Sequence, residues 1–242
     1  AEAREVLGSV VARLSPEVTT TVRINAGWDA ASLDLDAAVI PGVSALHLAL
    51  CEDPDHARNV ADRVSQMETE RGIAPGTIRL IAMLESPAAL LLAREIATAS
   101  PRMAGLTLGM EDYATTMGTT PNAELLRPAC YQITQAARAA GIAPLTVPAS
   151  MANFRDVEEM ESAAGWARRI GAVGGYAVHP VQVEILNRVF APSEEEIAWA
   201  HRVVEAAAKA KREGAGVFTV DDKMVDLPII TRAHEIIGRR PG

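Results

Sequence analysis

Short apolar runs alternate with helix-period stretches along most of this chain. Residues 78–84 and 105–110 are two such runs, each too short for a helix, and each ends abruptly in acid: Glu85 after the first, Glu111 and Asp112 after the second. Between them Ser86 can cap a helix, Pro87 sits where a first-turn proline is tolerated, and Ala, Leu, Arg and Glu fill the body. Strand, helix and strand in that order make a parallel pair. Charge just past the carboxyl ends of parallel strands lies where α/β folds place their chemistry.

The same alternation extends in both directions. Strands are predicted over residues 20–25, 45–50, 77–84, 105–110, 143–148 and 175–179. Helical patterns follow them near 29–39, from the Asp53-Pro54 cap to about 71, after Ser86, over 123–140, near 153–170, and from Pro180 to about 190. The opening residues already carry apolar positions at helical spacing. Beyond residue 192 the pattern changes. Ser193 and Glu196 form a capping box for a helix to about 212. A glycine break over 213–216, a short β-like stretch to 220, the segment DDKMVDLP and a last helix to about 237 complete the chain.

Repeated βα units with short strands predict a (β/α)8 TIM barrel over residues 1–192, with residues 193–242 as a helical extension or lid. A closed barrel needs eight strands and six are predicted. At about 30 residues per unit the shortfall is roughly 60 residues, so the expectation is a barrel lacking its first two βα units in this chain.

Composition narrows the partners. About half of the residues are apolar, 49%, which suffices for a sizeable core, and aromatics are scarce at 4%, so that core must be mostly aliphatic. The net charge of −8 argues against nucleic acid, whose phosphates need a basic face. An anionic small molecule needs only a local Arg or Lys. Cys51 and Cys130 give neither a disulfide framework nor metal spacing, and a reducing cytoplasm is the simple expectation. No apolar run reaches membrane-spanning length and no signal-peptide pattern is present.

Several residues are candidates for chemistry. Glu85 and Asp112, one βα unit apart, are two hard oxygen donors of the kind that suits Mg²⁺, which keeps open positions for water and substrate oxygens. The plainer reading is that they favour the N-termini of the helices that follow. Gly109 lets the backbone approach a ligand closely. Arg23 interrupts an apolar strand, so burial there would require an anionic partner, a protein carboxylate or a substrate oxygen. Asn25 is a weaker candidate at the same strand end. His179 precedes Pro180 at the last predicted strand end, where a hydrogen-bonded structural role competes with catalysis. His47, His56, His201 and His234 show no ligand spacing. Asp226, before Leu227-Pro228, fits a helix cap. No Walker loop, dinucleotide fingerprint or nucleophile elbow is present.

In order along the chain stand VRIN, IRLIAMLESPAALLLAREIA, LTLGMEDYATTMG, AARAAGIAPL, ANFRD, YAVHPVQVEILNRVFAPSEEEIAWAHRVVEAA and DDKMVDLP. Together, from about residue 20 to 237, they resemble the citrate lyase beta-subunit family, also called the HpcH/HpaI aldolase or CoA-ester lyase family. The resemblance implies a TIM barrel with a C-terminal extension, assembled as a homotrimer or hexamer. It implies Mg²⁺-dependent cleavage or formation of a carbon–carbon bond in a 3-hydroxyacyl-CoA ester such as citryl-, malyl- or citramalyl-CoA, with acetyl-CoA and a 2-oxo acid as the other side of the reaction. By motif position Glu85 and Asp112 are the implied metal ligands. Arg23 is implied to polarise the reacting carbonyl, and Asp226 to act as acid/base in a neighbouring subunit's site.

Some positions depart from that pattern. The VPG turn and acidic DLED-like segment of the family have no counterpart. Leu48-Ala49-Leu50 stands where LPK is usual, Arg127–Cys130 reads RPAC in place of a YARS-type run, and an aspartate is missing near Thr146. Two other activities fit the same residues: an aldolase acting on free hydroxy-oxo acids through a pyruvate enolate, and a non-catalytic acyl-CoA-binding relative.

Overall fold

The structure is a computed structural model and describes residues 2–213 and 217–238. In chain order its elements are α1 (Glu2–Leu14), β1 (Thr20–Ile24), α2 (Trp28–Ala38), β2 (Val43–Leu48), α3 (Pro54–Glu70) and β3 (Arg79–Leu84). They continue with α4 (Pro87–Leu91), α5 (Ala93–Ala97), β4 (Met103–Leu108), α6 (Met110–Thr116), α7 (Ala123–Ala139), β5 (Ala143–Pro144), α8 (Val157–Arg169) and α9 (Pro180–Phe190). The last are α10 (Glu194–Arg212), β6 (Phe218–Val220), β7 (Lys223–Val225) and α11 (Leu227–Gly238). The chain divides into two compact units between Leu186 and Asn187.

The first unit is an α/β fold. Its five strands are all parallel, in the order β1-β2-β3-β4-β5. Among the described residues the sheet does not close into a barrel. The fifth strand has only two residues, and a single parallel bridge, Leu145 to Gly174, is all that forms of the predicted sixth. The cause lies in the residues. Pro144, Pro148 and Pro180 offer no N–H to a ladder, and Gly174 and Gly175 weaken a strand. A Cβ at Gly175 would lie 2.6 Å from Val147 Cγ2, so the two segments approach too closely for a side chain there.

Side chains alternate across the sheet. Ile24, Leu46, Leu48, Leu80, Ala82, Leu84, Leu106 and Leu108 are buried together with Leu35, Val60, Val64, Met67, Ile96, Leu126 and Ile133 of the helices. Burying each large aliphatic side chain contributes roughly 1.5–3 kcal/mol, so this layer is the main source of stability. The intervening positions carry Thr21, Arg23, His47, Ile81, Met83 and Thr107. Arg23 pairs in register with His47, His47 with Ile81, and Met83 with Thr107.

Local sequence explains most of the helix starts. Asp53, Asn122 and Asp156 cap α3, α7 and α8 by accepting from His56, Leu125 and Glu159 N–H groups. The single helix expected after Ser86 is two, α4 and α5, because the chain tightens at Leu92, whose N–H bonds the Ala89 carbonyl three residues back. α6 is a further element that the residues did not announce, since Gly109 at its N-cap has no side chain to cap it.

In the second unit, α10 opens with the expected capping box: Ser193 Oγ accepts from the Glu196 N–H, and the Glu196 carboxylate accepts from the Ser193 N–H. The expected lone β stretch is a hairpin, β6 with β7, around Asp221 and Asp222 at φ 50° and 60°. Two successive left-handed residues suit a two-residue hairpin turn, and aspartate tolerates them better than most. Ala200, Val203, Val225 and Ala233 form its core. Residues 214–216 of the expected glycine break lie outside the described residues. No helix of the described residues is long and apolar enough to cross a membrane.

Candidate functional site

Four neighbouring strands deliver polar groups to one cavity of about 290 Å³. β1 contributes Arg23 and β2 contributes His47. Glu85 follows β3, and Gly109, Glu111 and Asp112 follow β4. Tyr176, from the irregular segment beyond the Leu145–Gly174 bridge, completes the polar part of the wall.

Glu85 is held tightly. Past the strand ends the ladder continues, with the Cys51 N–H on the Met83 carbonyl at 3.0 Å and the Gly109 N–H on the Leu84 carbonyl at 2.9 Å. Leu50 adopts φ 46°, a left-handed backbone that costs a side-chain-bearing residue roughly 1–2 kcal/mol. Its N–H donates to Glu85 Oε1 at 3.0 Å. Backbone strain of this kind gathers at functional sites. On the other side, a Cβ at Gly109 would lie 2.6 Å from Glu85 Cδ and 2.7 Å from Oε2, so only glycine leaves the carboxylate where it is.

Glu85 and Asp112 both line the cavity. Burial first, then the neighbouring Asp112 carboxyl, as hydrogen-bond partner and as charge, push the Glu85 carboxyl up to about 7, against the Leu50 N–H and the Arg23 charge, which pull it down. Two acids placed this way hold a proton or a cation between them. Glu111, also on the cavity wall, accepts from the Ser150 hydroxyl at 2.5 Å.

Hard oxygen donors, the glycine clearance beside Glu85 and the adjoining cavity fit a Mg²⁺ ion that takes two protein ligands and keeps water or substrate oxygens elsewhere. Among the described residues no group of three or more His, Cys, Asp or Glu side chains is placed to hold a metal.

Some expectations change. Asp112 lies in the first turn of α6, two residues into a helix rather than at a strand end. Arg23 is exposed, so the cost of burial that singled it out does not arise; its position on the cavity wall is what brings it to the site. Asn25 is taken up by structure, its backbone N–H and Nδ2 both donating to Asp34 Oδ2 at 2.7 Å, while Arg4 Nε donates to Asp34 Oδ1. His179 is exposed and stacks on Phe154 at 4.7 Å. Asp226 belongs to the second unit, between β7 and α11, where its carbonyl accepts from the Ile229 and Ile230 N–H groups. Within the first unit the structure thus gathers Arg23, Glu85 and Asp112 at one cavity.

Two wall residues escaped sequence reasoning. The His47 Nδ1 and Tyr176 hydroxyl lie 2.5 Å apart, and His47 Nε2 lies 3.0 Å from Thr21 Oγ1. His47 is a lone polar residue inside ALHLAL, the same signal that singled out Arg23 in its strand. Tyr176 carries no comparable mark.

A parallel sheet with acids past the carboxyl ends of adjacent strands belongs to the α/β class in which ligands bind at that end. Residues 1–180 match the family model described as HpcH/HpaI aldolase/citrate lyase. The chain is 35% identical over 230 residues to citrate lyase subunit beta of Haemophilus influenzae, covering 93% of this chain and 78% of that one. It is 34% identical over 179 residues to L-malyl-CoA/beta-methylmalyl-CoA lyase of Rhodobacter capsulatus, covering 66% of this chain and 56% of that one. Among solved structures, CitE of Mycobacterium tuberculosis in complex with magnesium, acetoacetate and coenzyme A matches with a TM-score of 0.67 at 27% identity, over 96% of this chain and 83% of that one. The chain belongs to the HpcH/HpaI aldolase/citrate lyase family.

Proposed function

We propose that this chain is a Mg²⁺-dependent carbon–carbon lyase. It cleaves a 3-hydroxyacyl-CoA ester of the citryl-, malyl- or citramalyl-CoA type to acetyl-CoA and a 2-oxo acid, or runs the reverse condensation. The observation that carries this reading is the Glu85–Asp112 pair, held against Gly109 on the wall that also bears Arg23. Likeness to relatives named citrate lyase subunit beta and L-malyl-CoA/beta-methylmalyl-CoA lyase, and to a structure holding magnesium and coenzyme A, supports it. The reading treats the five-stranded sheet as an arc of a (β/α)8 barrel.

Glu85 and Asp112 would hold the ion through their carboxylate oxygens. Bound there, Mg²⁺ supplies Lewis acidity toward the oxygens of the 2-oxo acid half. The other residues act on the thioester half. As the bond between C2 and C3 breaks, its electron pair moves onto the thioester and gives an enolate. Arg23 faces that oxygen with a permanent positive charge. Asp226, brought by a neighbouring copy in a trimer or hexamer, protonates the enolate carbon. The substrate hydroxyl gives up one proton to solvent as the 2-oxo acid forms, and Asp226 regains one from solvent, so proton gain and loss balance and no co-reactant is consumed.

The test is release of 2-oxo acid from citryl-, malyl- and citramalyl-CoA. Turnover on at least one ester is expected with Mg²⁺, its loss in EDTA, and its return when Mg²⁺ is restored. Full turnover in chelator contradicts the reading. Cleavage confined to free hydroxy-oxo acids would move the chain to the aldolases.

A further inference from the structure

His47 and Tyr176 of the cavity wall belong to a hydrogen-bonded chain that the reaction above does not use. Thr21, His47 and Tyr176 are joined in that order, at 3.0 Å from Thr21 Oγ1 to His47 Nε2 and at 2.5 Å from His47 Nδ1 to the Tyr176 hydroxyl. The two rings meet edge to face, with centroids 5.4 Å apart and planes at 78°. This contact fixes the phenol ring as well as its oxygen. His47 and Tyr176 are 129 residues apart in the chain and line the same cavity as Arg23. Arg23 is the register partner of His47 on the adjoining strand.

We propose that Tyr176 donates a second hydrogen bond, beside Arg23, to the thioester enolate oxygen, and that His47 is the positioning residue that aims its hydroxyl. The proposal rests on the lyase reading for the identity of that oxygen. Burial, and then the nearby Arg23 charge, hold the imidazole below its usual range, so His47 is neutral and has one N–H and one lone pair. The proposal assigns the ring proton to Nδ1, donating to the tyrosine oxygen, with the Thr21 hydroxyl donating to Nε2. The phenol proton is then left for a ligand in the cavity. Burial pushes the Tyr176 hydroxyl up, so it stays protonated and donates without adding charge beside Arg23. Arg23 is exposed and its charge is partly answered by water. A neutral donor fixed in the wall adds to that charge, and paired donors at one developing oxyanion are a recurrent catalytic device.

The experiment compares wild type with Tyr176→Phe, His47→Leu, His47→Asn and the Tyr176→Phe/His47→Leu double variant, each checked by thermal melting. Tyr176→Phe should lower kcat about 100-fold with little change in KM, the size of loss seen when one oxyanion donor is removed. His47→Leu should lower kcat in the wild-type background but change it less than about twofold in the Tyr176→Phe background, because a residue acting through another couples to it completely. His47→Asn, whose amide N–H can stand in for Nδ1–H, should recover part of the loss. A calorimetric titration with acetoacetyl-CoA needs no turnover, and Tyr176→Phe should bind it about tenfold more weakly, the loss of one good hydrogen bond. Wild-type kcat and wild-type acetoacetyl-CoA affinity in Tyr176→Phe overturn the proposal and leave the lyase reading standing. Multiplying losses in the double variant overturn the positioning role of His47. If the wild type turns over none of the three esters, the lyase reading falls. Weaker acetoacetyl-CoA binding by Tyr176→Phe then still supports the donor, and unchanged binding overturns it.

Discussion

Glu68 and Glu85 are buried to nearly the same degree, at 0% and 5% exposure, yet their surroundings treat the charge in opposite ways. Glu68 is saturated with donors. Arg102 reaches it with both terminal guanidinium nitrogens, at 3.0 and 2.5 Å, and the Gly76 and Ile78 N–H groups each donate at 2.8 Å. Burial works to raise its pKa, but the hydrogen bonds from Arg102, Ile78 and Gly76, with the Arg102 charge, outweigh burial and hold the carboxyl below its usual range. Glu85 has one backbone donor, Leu50, and faces a second acid. A carboxylate that serves the fold is neutralised within the fold. One left short of donors beside another acid, in the wall of a cavity, has its neutralising partner still to come.

The comparison separates stability from function, and mutations should respect it. The largest stability loss is expected at the saturated acid. Glu68→Gln leaves Arg102 buried without its counter-charge, which costs about 3–5 kcal/mol in buried pairs. Urea unfolding measures it, and a loss below about 1 kcal/mol would mean that the pair is far weaker than its geometry indicates. The pH dependence follows from the same lowered value. Glu68 contributes stability that is fully present above its unfolded value of 4.5 and is lost as the pH falls through the lower folded value. Wild type should therefore lose stability on acidification below about 4.5, and Glu68→Gln should lose less over the same window.

A smaller effect, of the opposite kind, is expected beside Glu85. At φ −85° and ψ 94° Gly109 has a backbone that alanine accepts, so Gly109→Ala should disturb only what the new Cβ meets, the Glu85 carboxylate. Mg²⁺ affinity should fall about 10- to 100-fold, the range for disturbed support of a metal ligand, while the melting temperature stays within a few degrees. A large fall in melting temperature with unchanged Mg²⁺ affinity would reverse the assignment of the two acids.

What the sequence made legible follows the same division. β1 to β4 are visible as short apolar runs because they are buried on the helix side and bounded by strong turn and cap residues. The strands expected over residues 143–148 and 175–179 are also read from apolar runs, but proline and glycine reduce them to two residues and one bridge. α6 is hidden because it is short and opens without a side-chain cap. Glu85 and Asp112 stand out as acids that end apolar runs, although Asp112 reaches its neighbour from a helix. Arg23 stands out through an expected burial that the structure does not bear out. His47 carries the same signal as Arg23, a polar residue inside an apolar strand, but has no ligand spacing. Tyr176 becomes visible only when the fold brings it across 129 residues to His47.

Calorimetric titration of the protein with Mg²⁺ tests the central claim, that Glu85 and Asp112 form a cation site. One Mg²⁺ per chain is expected to bind the wild type, with binding lost in Glu85→Gln and in Asp112→Asn while both variants keep the wild-type melting temperature. Equal Mg²⁺ affinity in wild type and Glu85→Gln, or no binding by the wild type, would contradict it.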